Sequence, residues 1–357
     1  MKNFQCDVCN GPLFFENSLC SHCELQVGYF PDRGMMLTLK GGGHRRCQNF
    51  AVENVCNWMV PADDPEPYCL SCRLTQVIPD LTQPRNRELW YRTEVAKRRM
   101  IYTLLELGMP VVSKKVDAEA GLAFEFLADT PGAEDVVLTG HSEGVITLNL
   151  AEADDAERER RRVHLHEPYR TLLGHFRHEV GHYYWDLLIR DSEVLPYWRR
   201  LFGDERADYG EALRRHYEQG PMPDWQSHFV SSYATAHPWE DWAETWAHYL
   251  HMVDSLDTAA AAGIALRVPR RDGGLVRMAP VAGNGEFDTL TKNWVALTLV
   301  LNNLNRSMGL QDAYPFVLSA PALAKLRFVH EVVSGFEPEA MARPPEMRQG
   351  ETATSRV

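Results

Sequence analysis

Cysteine is missing from most of this 357-residue chain: all eight lie at or before Cys72. That absence rules out a disulfide framework for the larger part of the protein and confines thiol chemistry to its start. Long apolar runs are missing too, and none approaches the ~20 residues that a membrane-spanning helix needs. The first residues, MKNFQCDVC, lack the apolar stretch of a secretory signal, so the expected compartment is the reducing cytoplasm, with no membrane as partner. Positive charge is scarce: 37 Lys and Arg against 49 Asp and Glu leave a formal −12, which disfavours nucleic acid as a partner for the whole surface. What is present is an ordinary globular composition, 45% apolar and 24% charged, and a length that allows one catalytic domain plus a small module.

The small module is expected over residues 1–76. Cys6-x2-Cys9 and Cys20-x2-Cys23 have the spacing of a zinc ribbon or rubredoxin-like knuckle pair. Each CxxC turn presents two thiolates, and four complete a closed tetrahedral zinc site. Cys47, Cys56, Cys69 and Cys72 form a second set with one CxxC. Sequential grouping is the simplest arrangement, interleaving the alternative, and His22 and His44 are spare donors. So short a module buries little apolar surface, and structural zinc supplies the missing folding free energy. Its charges, Lys2, Arg33, Lys40, Arg45, Arg46 and Arg73 against Asp7, Glu16, Glu24, Asp32, Glu53, Asp63, Asp64 and Glu66, leave no basic footprint. A structural role or a protein partner is therefore expected in preference to DNA.

Residues 77–85, with two prolines, read as a linker. A helix is predicted from Asn86 to Leu107, where Leu89, Trp90, Ala96, Met100, Ile101, Leu104 and Leu105 recur at helical spacing. Its Arg85, Arg87, Arg92, Lys97, Arg98 and Arg99 read as a solvated face partly balanced by Glu88 and Glu94. Strand-like runs follow at Leu122–Leu127, Val136–Thr139 and Val145–Leu150. Between the last two, Gly140-His141-Ser142-Glu143-Gly144 matches a GxSxG nucleophile elbow. An elbow needs a strand before and a helix after, whereas VITLNL alternates as a strand does, so a hairpin turn is the better reading. The charged run at 153–162 reads as an exposed lead into the next helix.

That helix holds the chemistry. GHFRHEVGHYYWD contains His178-Glu179-Val180-Gly181-His182, and Leu172, Phe176, Val180, Tyr184 and Leu188 trace a helical apolar face. Residues four apart share a helix face, so His178 and His182 can aim two imidazoles at one Zn²⁺ while Glu179 takes a proton from the attacking water. His175 reads as a supporting or packed histidine. A metzincin would need glycine at Trp185 and histidine at Leu188, so that class is excluded. A third ligand must come from elsewhere, and SSYATAHPWEDWAETWAHYLH (231–251) offers Glu240 or Glu244 on one helix face with His248 and His251. The tryptophans crowded nearby, Trp185, Trp225, Trp239, Trp242 and Trp246, read as packing.

SYATAHPWEDWAE resembles the matching segment of gluzincins of the anthrax lethal factor type, which end in E-x-x-A-E. The resemblance implies that Glu240 is the zinc ligand, that Glu244 supports the site, and that Tyr233, seven residues before the ligand, donates to the oxyanion. The spacer from His182 to Glu240 is longer than in those relatives. The whole layout resembles a bacterial family of zinc-binding metallopeptidases with an N-terminal zinc ribbon. The expected architecture is α+β: a double zinc module at 1–76, a zincin-like domain at 77–336 with a small sheet over the HExxH helix, and a disordered tail at 337–357. Residues 256–283 read as a loop or flap, and apolar helices are predicted near 287–307 and 320–334. The expected function is a peptidase with one catalytic and two structural zincs. The alternatives are a non-catalytic zinc adaptor whose ribbon docks a protein, and a DNA-associated protease.

Overall fold

The computed structural model describes residues 2–129, 137–164, 169–269, 274–278 and 285–335. The expected tail and part of the expected flap lie outside these residues.

The N-terminal region is built from short antiparallel pairs: β1 (Phe4–Gln5) with β2 (Pro12–Leu13), β3 (Val27–Phe30) with β4 (Met35–Thr38), and β5 (His44–Arg46) with β6 (Met59–Pro61). Helical turns α1 (Gln48–Ala51) and α2 (Leu70–Arg73) follow cysteines. The thiols gather sequentially, Cys6, Cys9, Cys20 and Cys23 in one cluster and Cys47, Cys56, Cys69 and Cys72 in the other, all free of disulfides. The two clusters are the zinc ribbons of the chain. Phe4, Phe15, Tyr29 and Trp58 pack on one another as a ring cluster.

This region is stitched into the rest. Strand β7 (Thr75–Val77) leads into helix α3 (Asn86–Glu106), and β8 (Ala123–Leu127) returns parallel to β7. Strands β9 (Gly140–Ser142) and β10 (Val145–Asn149) complete a four-stranded sheet of order β7-β8-β10-β9. Tyr102 of α3 inserts into the ribbon's ring cluster, with centroids 5.2 Å from Phe15 and 5.7 Å from Tyr29. The GxSxG segment is the β9–β10 hairpin: Ser142 pairs with Val145, and Glu143 (φ 46°) and Gly144 (φ 79°) make a two-residue turn of the type that demands positive φ at both positions. Ser142 is exposed at that turn, not set on an elbow. The middle strand thus falls at 140–142, and 137–139, the described part of the expected Val136–Thr139 run, lies before it; Val136 is outside the described residues.

Two basic residues of α3 correct the solvated-face expectation, while Arg85, Arg87, Arg92 and Arg99 keep to the exposed side. Lys97 and Arg98 are 0% and 2% exposed. Lys97 pairs with Glu94 at 3.0 Å, and Arg98 donates to the Val55 carbonyl at 2.8 Å. Burial works against the Arg98 charge, but Cys56, Glu94, Cys72 and Cys69 around it hold the proton on. Helix, not exposed coil, also takes the charged run: α4 (Asp155–His164) carries pairs such as Arg161–Glu157 (2.9 Å) and Arg162–Glu159 (2.7 Å), one turn apart.

The remaining elements are helical but for one hairpin. They are α5 (Leu172–Leu188), α6 (Leu195–Phe202), α7 (Tyr209–Gln219), α8 (Pro238–Ala261), a hairpin of β11 (Leu266–Pro269) and β12 (Leu275–Met278), α9 (Phe287–Ser307) and α10 (Ala320–Ser334). α5 lies between α3 and α8, with α9 and α10 behind α8. A buried Lys325–Asp241 pair (2.6 Å) ties α10 to α8. The class is mixed α/β, with a largely helical metallopeptidase-like domain after the ribbons. Among the described residues no helix is long and apolar enough to cross a membrane.

Arg98 tests the coupling between the second cysteine cluster and α3. Arg98→Met, of similar length, removes the buried charge and is expected to destabilise the zinc-loaded protein by about 3–5 kcal/mol in urea unfolding, with earlier zinc loss to a chelator. Unchanged stability and unchanged zinc retention would show that the guanidinium does not serve the cluster.

Candidate metal centre

Two helices that meet at a glycine make the site. Thr171 caps α5, its hydroxyl accepting from the Gly174 amide at 3.0 Å. Phe176, Val180 and Tyr184, one turn apart, are fully buried on the core face. A Cβ on Gly181 would stand 3.0 Å from the Ala243 Cα and 3.2 Å from the Trp246 Cβ, so only glycine lets α8 pass this close. The Trp242 indole locks the crossing by donating to the Gly181 carbonyl at 2.8 Å. α8 starts at His237, whose Nδ1 accepts from the Trp239 amide at 3.1 Å while Nε2 donates to the Ala207 carbonyl at 3.1 Å. Pro238 follows in the first turn, where its missing N–H costs nothing.

Across this crossing the two imidazoles of HExxH face Glu240. The Nε2 atoms of His178 and His182 lie 2.9 and 3.6 Å from Glu240 Oε2. One donor atom from each of the three residues lies within 4.8 Å of the others. Glu240 is 1% exposed, yet the short approach to His178 lacks hydrogen-bond geometry and leaves Oε2 without a donor. Its Oε1 is occupied by the Tyr209 hydroxyl, which donates at 2.6 Å. His178 is tied at its other nitrogen, Nδ1 donating to Glu244 Oε1 at 2.7 Å, and Glu244 Oε2 accepts from Ser231 at 2.5 Å. These contacts fix each ring and carboxylate and leave one atom of each turned to a common point. Two imidazole nitrogens and a carboxylate oxygen are a donor set for Zn²⁺ with a coordination position to spare. The orphaned, buried Glu240 oxygen is the observation that makes the set fit that ion.

Burial would push the His178 proton off, but the hydrogen bond to Glu244 and the charges of Glu240 and Glu244 hold its pKa well above the usual imidazole range. Burial raises both of those carboxyls in turn, and the imidazoles overcome it: His182 and His178 hold Glu240 well below the carboxylate range, and His178 holds Glu244 below it. Glu179 goes the other way. Burial dominates there and lifts its pKa, with Glu240 and Glu244 adding to the rise.

Tyr233 sits in a short 3₁₀ turn with its ring centroid 5.9 Å from that of His178. Tyr233, His178, Glu179 and Glu244 all line one cavity of about 450 Å³. His248 and His251, on the Glu240 face of α8, do not join the cluster. Their Nδ1 atoms pair with the Tyr314 hydroxyl and with Arg177, each at 2.7 Å. His175 stands 3.5 Å from Glu152, kept neutral by burial with its pKa down to about 4. Tyr209 and Ser231 carry no local signal in the sequence. Tyr209 sits in the long spacer before Glu240, and α7, which it opens, is what delivers it. Trp239 packs on His182 with centroids 3.9 Å apart, and His141, from the hairpin, lies 6.4 Å beyond.

The raised pKa of His178 has a measurable consequence. Without metal the two carboxylates favour the protonated ring, so loading Zn²⁺ on it is expected to displace a proton. Calorimetry of zinc uptake at pH 7, with the cysteine clusters already loaded, is expected to show about one proton released when two buffers of different ionisation enthalpy are compared. The same proton stabilises the metal-free fold fully below pH ~6.5, the unfolded pKa, and this contribution fades as pH rises through the raised folded value. Zinc uptake without proton release would remove the His178–Glu240–Glu244 arrangement as its site.

Comparisons with known proteins bear on both regions. Residues 86–332 match the family described as "Putative zinc-binding metallo-peptidase", and residues 3–83 match a zinc-ribbon domain. Uncharacterized proteins of Mycobacterium bovis and Mycobacterium tuberculosis are 46% identical to the chain over 341 residues, covering 95% of it and 97% of each of them. No solved structure matches. The chain thus belongs to the zinc-binding metallo-peptidase family, with a zinc ribbon at its N-terminal end.

Proposed function

We propose that this protein is a zinc-dependent peptidase of the gluzincin type, acting on peptide bonds in the reducing cytoplasm. The observation that carries the reading is the convergence of His178, His182 and Glu240 beside a cavity onto which Glu179 and Tyr233 also open. His178, His182 and Glu240 would hold the catalytic ion, and the two cysteine clusters one structural ion each. Residues 1–76 serve as the zinc module and 77–336 as the catalytic domain, as in the sequence reading.

Zn²⁺ held there supplies Lewis acidity, polarising the peptide carbonyl and bringing the pKa of water down toward about 7. Glu179 is the general base. Its burial raises the carboxylate's proton affinity, so it takes a proton from the attacking water and passes it to the leaving amine. The Tyr233 phenol, held protonated by burial, donates a hydrogen bond to the oxygen on which charge develops. Glu244 positions His178 through Nδ1, and Tyr209 positions Glu240. β9 is the outer strand of the sheet and packs beside α5, so an extended substrate can pair along it over the metal.

Glu179→Gln keeps the shape and removes the base. It is expected to bind three zincs per chain, as the wild type does, and to cleave a proteome-derived peptide library about 10²–10⁴-fold more slowly. Tyr233→Phe is expected to lower kcat about 10²–10³-fold with KM little changed. A wild type with three zincs that cleaves nothing, or a Glu179→Gln variant that cleaves equally well, ends the mechanism. Two zincs per chain would point instead to a zinc adaptor.

A further inference from the structure

The cavity that exposes Glu179 continues past it, and its far part has a chemistry of its own. α5 and α8 touch at Gly181 and Ala243, but Gly174, two turns earlier on α5, and Ala247, one turn later on α8, both line open space. A Cβ on Gly174 would reach toward Tyr169 Cε1 (3.7 Å) and His251 Nε2 (3.8 Å). Rings wall this space. Phe316 stands edge-on to His248 at 4.4 Å, and Tyr169 stands edge-on to His251 at 5.4 Å and to Phe316 at 6.0 Å.

Two polar groups face inward with capacity to spare. Arg177 has only donors, so His251 Nδ1 must accept from it at 2.7 Å, and the proton of the neutral ring sits on Nε2, on the Gly174 side. Glu152 is 1% exposed and takes Arg161 and Arg170 on Oε1 at 2.8 and 2.9 Å. Its Oε2 is buried with no hydrogen-bond partner, the nearest group being His175 Nδ1 at 3.5 Å. The wall therefore carries both signs, Arg161 and Arg170 against Glu152 and Glu244. These charges are already paired, Arg161 and Arg170 with Glu152 and Glu244 with His178, so a charged side chain entering the space would have to compete with existing ion pairs.

We infer that this space is the side-chain specificity pocket of the peptidase and that it takes tyrosine, at a position flanking the scissile bond. The inference rests on the peptidase reading. An uncharged ring finds edge-to-face partners in Phe316, Tyr169 and the two imidazoles, while a phenol hydroxyl both donates and accepts, matching an N–H and a carboxylate oxygen that lack partners. The space is the far part of a cavity of about 450 Å³ in all, so a ring can enter it while the backbone stays beside Glu179.

The test profiles zinc-loaded wild type, Ala247→Leu and Phe316→Ala on a peptide library by mass spectrometry, then measures kinetics on a matched tyrosine and alanine peptide pair. Wild type is expected to favour tyrosine over alanine by about 10-fold or more at one flanking position. Ala247→Leu should raise KM for the tyrosine peptide about 10-fold and spare the alanine peptide, and Phe316→Ala should weaken the preference while cleavage persists. A second arm needs no turnover: p-cresol, the tyrosine side chain, is soaked into crystals of wild type and of Phe316→Ala. Cresol seated between Gly174 and Ala247 in the wild type, and lost or displaced in the variant, supports the pocket even if Ala247→Leu fails to fold. Cleavage with no aromatic preference, or cresol bound elsewhere or nowhere, overturns it. If no peptide is cleaved yet cresol binds there, the peptidase reading falls and the pocket stands.

Discussion

The metal centre depends on one close approach, that of Gly181 to Ala243. Helices normally pack 8–10 Å apart, at the shorter end when the contact residues are small. Here a single Cβ would already sit within 3.0 Å of the opposing backbone. Metal ligands tolerate only a few tenths of an ångström in position, so the crossing distance of α5 and α8 decides whether Glu240 reaches the two imidazoles. Both helices repeat every turn, which lets one crossing do two jobs. His178 and His182 are one turn apart on α5, Glu240 and Glu244 one turn apart on α8. Once the helices are in contact, His178 meets both carboxylates.

The N-terminal ribbons are part of the same construction. A fully buried charge is expensive unless it is paired, and Glu94 alone cannot balance both Lys97 and Arg98. Four thiolates around a divalent ion carry a net charge of −2, and the second cysteine cluster lies against Arg98, so the excess positive charge on α3 has its counterpart in that centre. α3 in turn packs on α5 and meets it through Thr103, whose hydroxyl accepts from Arg177 at 3.3 Å. With β7 as one edge of the four-stranded sheet and Tyr102 inside the ribbon's ring cluster, the module is placed to stabilise the HExxH helix. A freely swinging tether would share neither a strand nor a core with it.

How much of this was legible in the sequence depends on the range of the interactions. The HExxH register, the two cysteine sets and the long helices rest on local spacing, and α3 begins at the expected Asn86 and ends at Glu106, one residue short. The GxSxG hairpin was readable because VITLNL alternates like a strand. Lys97 and Arg98 were misread because a charged stripe looks the same whether it faces water or a distant cluster of thiolates. The 155–164 helix was missed because its support is ion pairing between turns, with no apolar period to betray it. Tyr209 and Ser231 were invisible for a third reason. Each acts through one hydrogen bond to a residue that only the fold brings near.

Three carboxylates surround the same pair of imidazoles, and their environments divide the work. Glu240 and Glu244 face His178 directly, and the charge of the imidazoles, joined at Glu244 by a hydrogen bond, holds both ionised against the cost of burial. Glu179 belongs to the same helix as the imidazoles but turns to the cavity, without a close cationic partner, and burial raises its pKa. In the proposed mechanism this would separate the groups that must stay ionised, as ligand and support, from the one whose proton affinity has to rise toward the working pH. Neighbouring groups of one chemical kind, pushed in opposite directions, are what proton transfer next to a metal requires. The division follows from where each Cα sits on two crossed helices.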